Sequence, residues 1–193
     1  MTTAFTTKTN KIKQLANSGE VFFRDTDLAV LWKITNKNTL YTTIKRYVRT
    51  GALERVKHGI YSLKGFDAAH SDALGVKVIH SYCYVSAETI LEREGLLKPK
   101  VHRTTFVGAS SKKFSVRDCS FSVRKMKDEF LYNTIGIYCK GGVNYASVPR
   151  AVADILYFNP RYYFDAGSQN GIDWKEVAKI QGMVGYLASA RKT

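Results

Sequence analysis

The chain has 193 residues, 45% of them hydrophobic, with 30 Lys and Arg against 16 Asp and Glu, a formal net charge of +14. That apolar content can bury a core and argues against a disordered or fibrous chain, while no run nears the ~18 apolar residues that cross a bilayer. The basic excess favours a polyanionic partner through counterion release and steering, with a generic basic cytosolic protein as the alternative. The charge is unevenly spread: residues 1–64 carry twelve basic and four acidic side chains, the remainder eighteen and twelve. The start, MTTAFTTKTNKIKQLA, lacks the apolar core of a secretion signal, so a cytoplasmic protein with no membrane partner is expected. Cys83, Cys119 and Cys139 are odd in number and sit among aromatic or β-branched neighbours, which reads as three buried, reduced thiols.

Along the chain, residues 1–8 read as a frayed, Thr-rich start. Thr9–Asn17 carries Ile12, Leu15 and Ala16 at helical spacing and stops at Asn17-Ser18-Gly19. Val21-Phe22-Phe23 is a short apolar extension. A second helix is expected over Thr26–Lys33, capped by Asp25 or Thr26, with Leu28, Leu31 and Trp32 facing inward. After a polar link at Ile34–Lys37, the segment NKNTLYTTIKRYVRTG puts Leu40, Ile44, Tyr47 and Val48 on one helical stripe and Asn38, Thr42, Lys45, Arg46 and Arg49 on the other. ALERVKHGIYSL follows, with Leu53, Val56, Ile60, Tyr61 and Leu63 flanking the basic turn Lys57-His58-Gly59 in the manner of a β-hairpin.

Helix, helix, basic helix, hairpin is the order of a winged helix-turn-helix, expected over residues 1–64. Its DNA-binding candidates are Asn36, Lys37, Asn38, Thr39, Thr42, Lys45, Arg46 and Arg49 on the third helix, and Arg55, Lys57 and His58 on the wing. Residues early in a recognition helix reach base edges, and basic residues further along or at a loop tip meet phosphate. An ordinary solvated helix face is the plain alternative, and winged helices also dock proteins.

Lys64–Ala73 reads as a connector with a short helix, and residues 65–193 as a mixed α+β domain, which makes the whole chain α+β. Val85–Leu97 is expected as a helix with Ser86 at its N-cap and a stop at Gly95. β-rich runs follow at Val101–Val107, Lys113–Arg117, Ser120–Arg124 and Leu131–Cys139, then helices at Val148–Phe158 and Trp174–Ser189. Arg103–Lys127 holds seven basic residues against Asp118 alone, interleaved with Phe106, Phe114 and Phe121. Alternation sets Phe121 and Val123 on one face and Ser120, Ser122 and Arg124 on the other. That is either a second binding face, for nucleic acid or an acidic protein, or a half-buried sheet with a basic solvent side. The aromatic run from Tyr157 to Phe164 reads as core packing around Pro160, with stacking on bases or a partner as the alternative.

Signs of catalysis are few. His58, His70, His80 and His102 have no ligand spacing among themselves or with the cysteines, and Gly141-Gly142 reads as a turn between strands rather than a phosphate loop. Glu88 and Glu92 form an i,i+4 pair typical of a wet surface. No cofactor and no enzymatic activity are expected.

LERVKHGIYSL at Leu53–Leu63, YVSAETILEREGLL at Tyr84–Leu97 and RAVADILYFNPRYYFD at Arg150–Asp165 resemble the AbiEi-type antitoxins of bacterial type IV toxin–antitoxin systems. The resemblance implies a protein whose winged helix represses its own operon by binding promoter DNA, while its C-terminal domain counters a cognate nucleotidyltransferase-like toxin. With that role in view, Arg117, Arg124, Lys125 and Lys127 are the candidate antitoxin surface. The alternative is a winged-helix regulator whose C-terminal domain senses a ligand or binds a partner other than a toxin.

Overall fold

The computed structural model describes residues 11–63, 70–98 and 103–186. The chain divides into two compact units, Met1–Val78 and Ile79–Thr193. The expected frayed start, residues 64–69 of the connector, Val101 and His102, and the end of the last helix toward Ser189 lie outside the described residues.

The first unit runs α1 (residues 11–17), β1 (Phe22–Arg24), α2 (Asp25–Leu31), α3 (Lys37–Arg49), β2 (Leu53–Lys57) and β3 (Ile60–Leu63). Its strands form an antiparallel sheet in the order β1-β3-β2, so the apolar Val21-Phe22-Phe23 stretch supplies a strand as well as core. Leu40, Thr43, Ile44 and Tyr47 are the buried stripe of α3, packed with Leu15, Phe23, Leu28, Trp32, Leu53 and Tyr61. Val48 sits half-buried at the margin, because 3.6 residues per turn centre the stripe on Thr43 and Ile44 instead. The cap of α2 falls earlier than expected: Arg24 occupies it, and its N–H donates to Asp27 Oδ2 at 2.9 Å. Helix α4 (Ser71–Ile79) belongs almost entirely to this unit. Lys77 Nζ lies 2.6 Å from Glu20 and 2.8 Å from Asp27, and its carbonyl accepts from Arg24 Nη1 at 2.6 Å.

The second unit is a six-stranded mixed sheet, order β6-β7-β5-β4-β9-β8, with helices packed on it. Its elements are β4 (Cys83–Val85), α5 (Glu88–Arg93), β5 (Arg103–Gly108), β6 (Lys112–Val116), β7 (Cys119–Lys125), α6 (Asp128–Leu131), β8 (Ile137–Lys140), β9 (Val143–Ala146), α7 (Val148–Phe158), α8 (Ala166–Asn170) and α9 (Trp174–Val184). Several local expectations give way here. Val85 is a strand residue and α5 starts at Glu88, because Ser86 is not a cap: its hydroxyl donates to Asp154 Oδ2 at 2.7 Å. Leu131 closes a one-turn helix, and only Ile137–Lys140 of the following run is strand. The Gly141-Gly142 turn, with both residues at positive φ, joins β8 to β9. Helix α9 ends at Gly185, which takes the left-handed conformation at φ 91. Of the cysteines, all free, only Cys83 is buried, and burial pushes its thiol up to about 12; Cys119 is half-buried and Cys139 exposed.

At the centre of this unit Arg150 and Asp154, one turn apart on α7, are both fully buried. Arg150 Nε donates to Asp154 Oδ1 at 3.0 Å. Nη1 donates to the carbonyls of Asn133 (3.0 Å) and Ile135 (2.8 Å), and Nη2 to the Tyr84 hydroxyl (3.0 Å) and the Phe130 carbonyl (3.2 Å). Every guanidinium N–H therefore has a partner, as a buried charge requires. Asp154 also accepts from the Tyr186 hydroxyl at 2.5 Å. Burial raises the Asp154 carboxyl above its ordinary value, and Arg150, Ser86 and Tyr186 all oppose that shift.

Candidate nucleic-acid interface

Helix α3 contains no acidic residue. Its exposed residues are Lys37, Asn38, Thr39, Tyr41, Thr42, Lys45, Arg46 and Arg49, so the polar stripe read from the sequence is a solvent-facing stripe. Lys37 lies in the first turn, where the helix dipole disfavours a cation unless an anion is shared with it, whereas Arg46 and Arg49 complement the dipole at the other end. Asn36 is the N-cap. Its Oδ1 accepts from Thr39 N at 3.1 Å and lies 3.4 Å from Thr39 Oγ1, so these two candidates are engaged in starting the helix.

The hairpin turn is held beside this helix. Lys57 completes β2 opposite Ile60, which leaves His58-Gly59 as the two-residue turn, with a bulge between Arg55 and Lys57. Gly59 takes φ 72 and its carbonyl accepts from Asp25 N at 3.1 Å, while Asp25 Oδ2 lies 3.4 Å from the Tyr41 hydroxyl. Arg55 Nη2 lies 2.6 Å from His58 Nδ1; because guanidinium can only donate, that ring nitrogen accepts. Arg55, Lys57 and His58 are all exposed.

Two residues escaped the sequence reading. Tyr41, half exposed on the outer stripe, is held at its hydroxyl by Asp25, a contact from another helix that periodicity cannot reveal. Lys11 lies 5.7 Å over the Trp32 ring, and burial together with the nearby Arg46 charge lowers its pKa. α1 thus adds a cation beside α3.

The four candidates of the second unit do not gather. Arg117 occupies the β6–β7 turn at φ 51, and β7 alone, at about 3.3 Å per residue, separates it from Lys125 by about 20 Å. Arg124 Nη2 bridges both Glu88 oxygens, at 2.7 and 2.8 Å, with its guanidinium 5.6 Å over the Phe158 ring. Glu88 is therefore an ion-pair residue rather than half of a wet i,i+4 pair. Lys127 lies 3.7 Å from Glu129 and Lys125 is exposed.

No family model matches this chain, and no curated protein matches it.

What the structure places around Arg124 instead is a cleft. In register across β5, β7 and β6 stand Thr105, Ser122 and Lys113, with Arg103, Ser120 and Ser115 in the neighbouring row. This polar face is the one that alternation separates from buried Phe106, Phe121 and Val123. Among the described residues no group of three or more His, Cys, Asp or Glu is arranged to hold a metal ion, and no helix is long and apolar enough to cross a membrane.

Proposed function

We propose that the chain is a DNA-binding transcriptional regulator whose first unit is a winged helix, with α3 as the recognition helix and the β2–β3 hairpin as the wing. The observation that carries this reading is the acid-free, exposed stripe of α3 standing beside a hairpin turn that presents Arg55, Lys57 and His58. Order α1-β1-α2-α3-β2-β3 with a three-stranded antiparallel sheet supports it. In this reading the exposed Asn38, Tyr41 and Thr42 reach base edges, and Lys45, Arg46, Arg49 and Lys57 meet phosphates. The resemblance to AbiEi-type antitoxins extends the proposal: the DNA is the promoter of the protein's own operon, and the second unit counters a nucleotidyltransferase-like toxin.

The test is a salt titration of binding to the promoter duplex and to a random duplex of equal length. Specific binding with log affinity falling against log salt at about −0.9 per phosphate contact is expected. Asn38→Ala or Thr42→Ala should reduce promoter preference, and Lys45→Ala or Arg49→Ala should weaken both duplexes alike. Equal affinity for the two duplexes, or a flat salt response, overturns the repressor reading. A nucleotidyltransferase-like gene in the adjoining reading frame, co-expressed with the full chain, tests the antitoxin part: absence of such a gene, or loss of growth in the presence of the full chain, removes it.

A further inference from the structure

Beside α5 and the end of α7, the sheet of the second unit is lined by two adjoining clefts that share Arg103, Thr105 and Arg124. Their chemistry differs. The larger, about 620 Å³, has only basic charges on its walls, including Lys113 and Lys125, over a floor of Thr105 and Ser122. The smaller, about 420 Å³, is walled by Tyr162, Tyr163 and Leu97 and carries the carboxylates of Glu88, Glu92 and Asp165 beside Lys98. Both volumes lie in the range of small-molecule sites, roughly 300–1,000 Å³. We propose that this double cleft binds a nucleoside triphosphate, the phosphates in the basic lobe and the base against the tyrosines of the other.

Charge bookkeeping within the site supports phosphate over a neutral ligand. Arg124 is neutralised by Glu88, but among the described residues Arg103, Lys113 and Lys125 have no carboxylate partner. Arg103 and Lys113 project from the same sheet face as Thr105 and Ser122, so hydroxyl donors lie between the cations. A single phosphate would leave part of this cation excess unmatched, which favours a polyphosphate. The second lobe has the opposite character. Tyr163 is 80% exposed and offers its ring to a base, while half-buried Tyr162, packed at 4.8 Å against Phe164, lines the wall beside it. Tyr162 lies among Glu88, Arg124, Glu92 and Asp165, and burial followed by those carboxylates raises its phenol pKa. Glu92 has no ion pair among the described residues and can accept from a base amino or imino group. An acidic peptide would meet Glu92 unfavourably in this lobe, whereas a nucleotide satisfies both ends.

None of these residues lies in the first unit, so this inference stands or falls independently of DNA binding. The experiment is calorimetric titration of the full chain with ATP, GTP, CTP, UTP and inorganic triphosphate. At least one nucleotide should bind about tenfold tighter than inorganic triphosphate, the scale of one base–aromatic stack. The double variant Arg103→Glu, Lys113→Glu should weaken both that nucleotide and inorganic triphosphate about tenfold or more, as expected for lost charge-assisted contacts. Tyr162→Ala should abolish the preference for the nucleotide while sparing inorganic triphosphate. Should Tyr162→Ala fail to fold on thermal melting, Tyr163→Ala at the exposed rim takes its place with the same expected direction. No measurable nucleotide binding, inorganic triphosphate binding as well as every nucleotide, or affinities indifferent to these variants each overturn the proposal. A short single-stranded RNA that displaces the nucleotide at tenfold lower concentration overturns it in favour of an RNA site.

Discussion

In the first unit the cations stand outside an apolar core, on α3, the hairpin and α1, whereas the second unit closes around an arginine and an aspartate with no exposure at all. The same side-chain type thus does different work. Arg46 and Arg49 keep their hydration and are available to an anion, while Arg150 has exchanged water for five protein acceptors. A surface cation can be replaced with little effect on folding; a buried one whose partners remain cannot, because each orphaned acceptor keeps its desolvation cost.

The largest test of that contrast is Arg150→Met, which should destabilise the second unit by about 3–5 kcal/mol in a denaturant titration, as expected for a broken buried pair. Arg150→Met combined with Asp154→Leu should be less damaging than the first change alone; an additive loss would mean that the remaining carboxylate is not the source of the cost. Next, Lys45→Ala with Arg46→Ala should leave the melting curve almost unmoved yet lower the salt slope of DNA binding by about 0.9 for each lost phosphate contact. A large loss of stability from this pair would erase the distinction between the two units. Asn36→Ala should cost about 1 kcal/mol of stability through the lost cap, without relaxing promoter preference beyond what destabilisation explains. If preference collapses while stability holds, Asn36 reads bases instead.

The smallest effect concerns the partly exposed cluster at α4. Burial opposes the Asp27 charge, but the Lys77 hydrogen bond and the Arg24 N–H outweigh it and hold the carboxyl below its ordinary value of 3.8. Its stabilising contribution is therefore complete above that value and lost as pH falls through the lower folded one. Burial likewise opposes the Lys77 charge, yet Asp27 and Glu20 raise its pKa above 10.5, so the Lys77 contribution is complete below 10.5 and lost as pH rises through the folded value. Lys77→Met should cost under about 1 kcal/mol near neutrality, given the partial exposure of the cluster, and should flatten the acid limb of a pH–stability curve. An unchanged acid limb would show that the contact is not formed in solution.

The elements that were legible are those with local signals. A 3.6-residue apolar period after the polar link Ile34–Lys37 located α3, the basic Gly turn located the hairpin, and the helix expected over Val148–Phe158 ends at Phe158, ahead of Pro160. Alternation placed Phe121 and Val123 apart from Arg124 correctly. The helix expected over Val85–Leu97 forms only from Glu88 to Arg93, and its Ser86 cap failed because a serine cap signal and a serine that donates to Asp154, 68 residues away, look identical in sequence. The candidate second-unit surface was legible only as composition: seven basic residues between Arg103 and Lys127 were visible, but their distribution among a β-turn, an ion pair with α5 and a strand end was not.

Composition, helical and strand periods, and turn chemistry by themselves determined the net charge, the exposed basic stripe, the N-terminal order of three helices and a hairpin, and most strand positions, because each depends on residues within a turn or two of one another. Only the tertiary structure decided that β1 completes the first sheet, that α4 joins the first unit through Lys77, and that Arg103, Thr105, Ser122 and Lys113 share one face. It also decided that Arg150 is a buried hub while Arg46 is a surface cation. Partners distant in the chain set the cost of burying a charge, and no local pattern records whether those partners will be there.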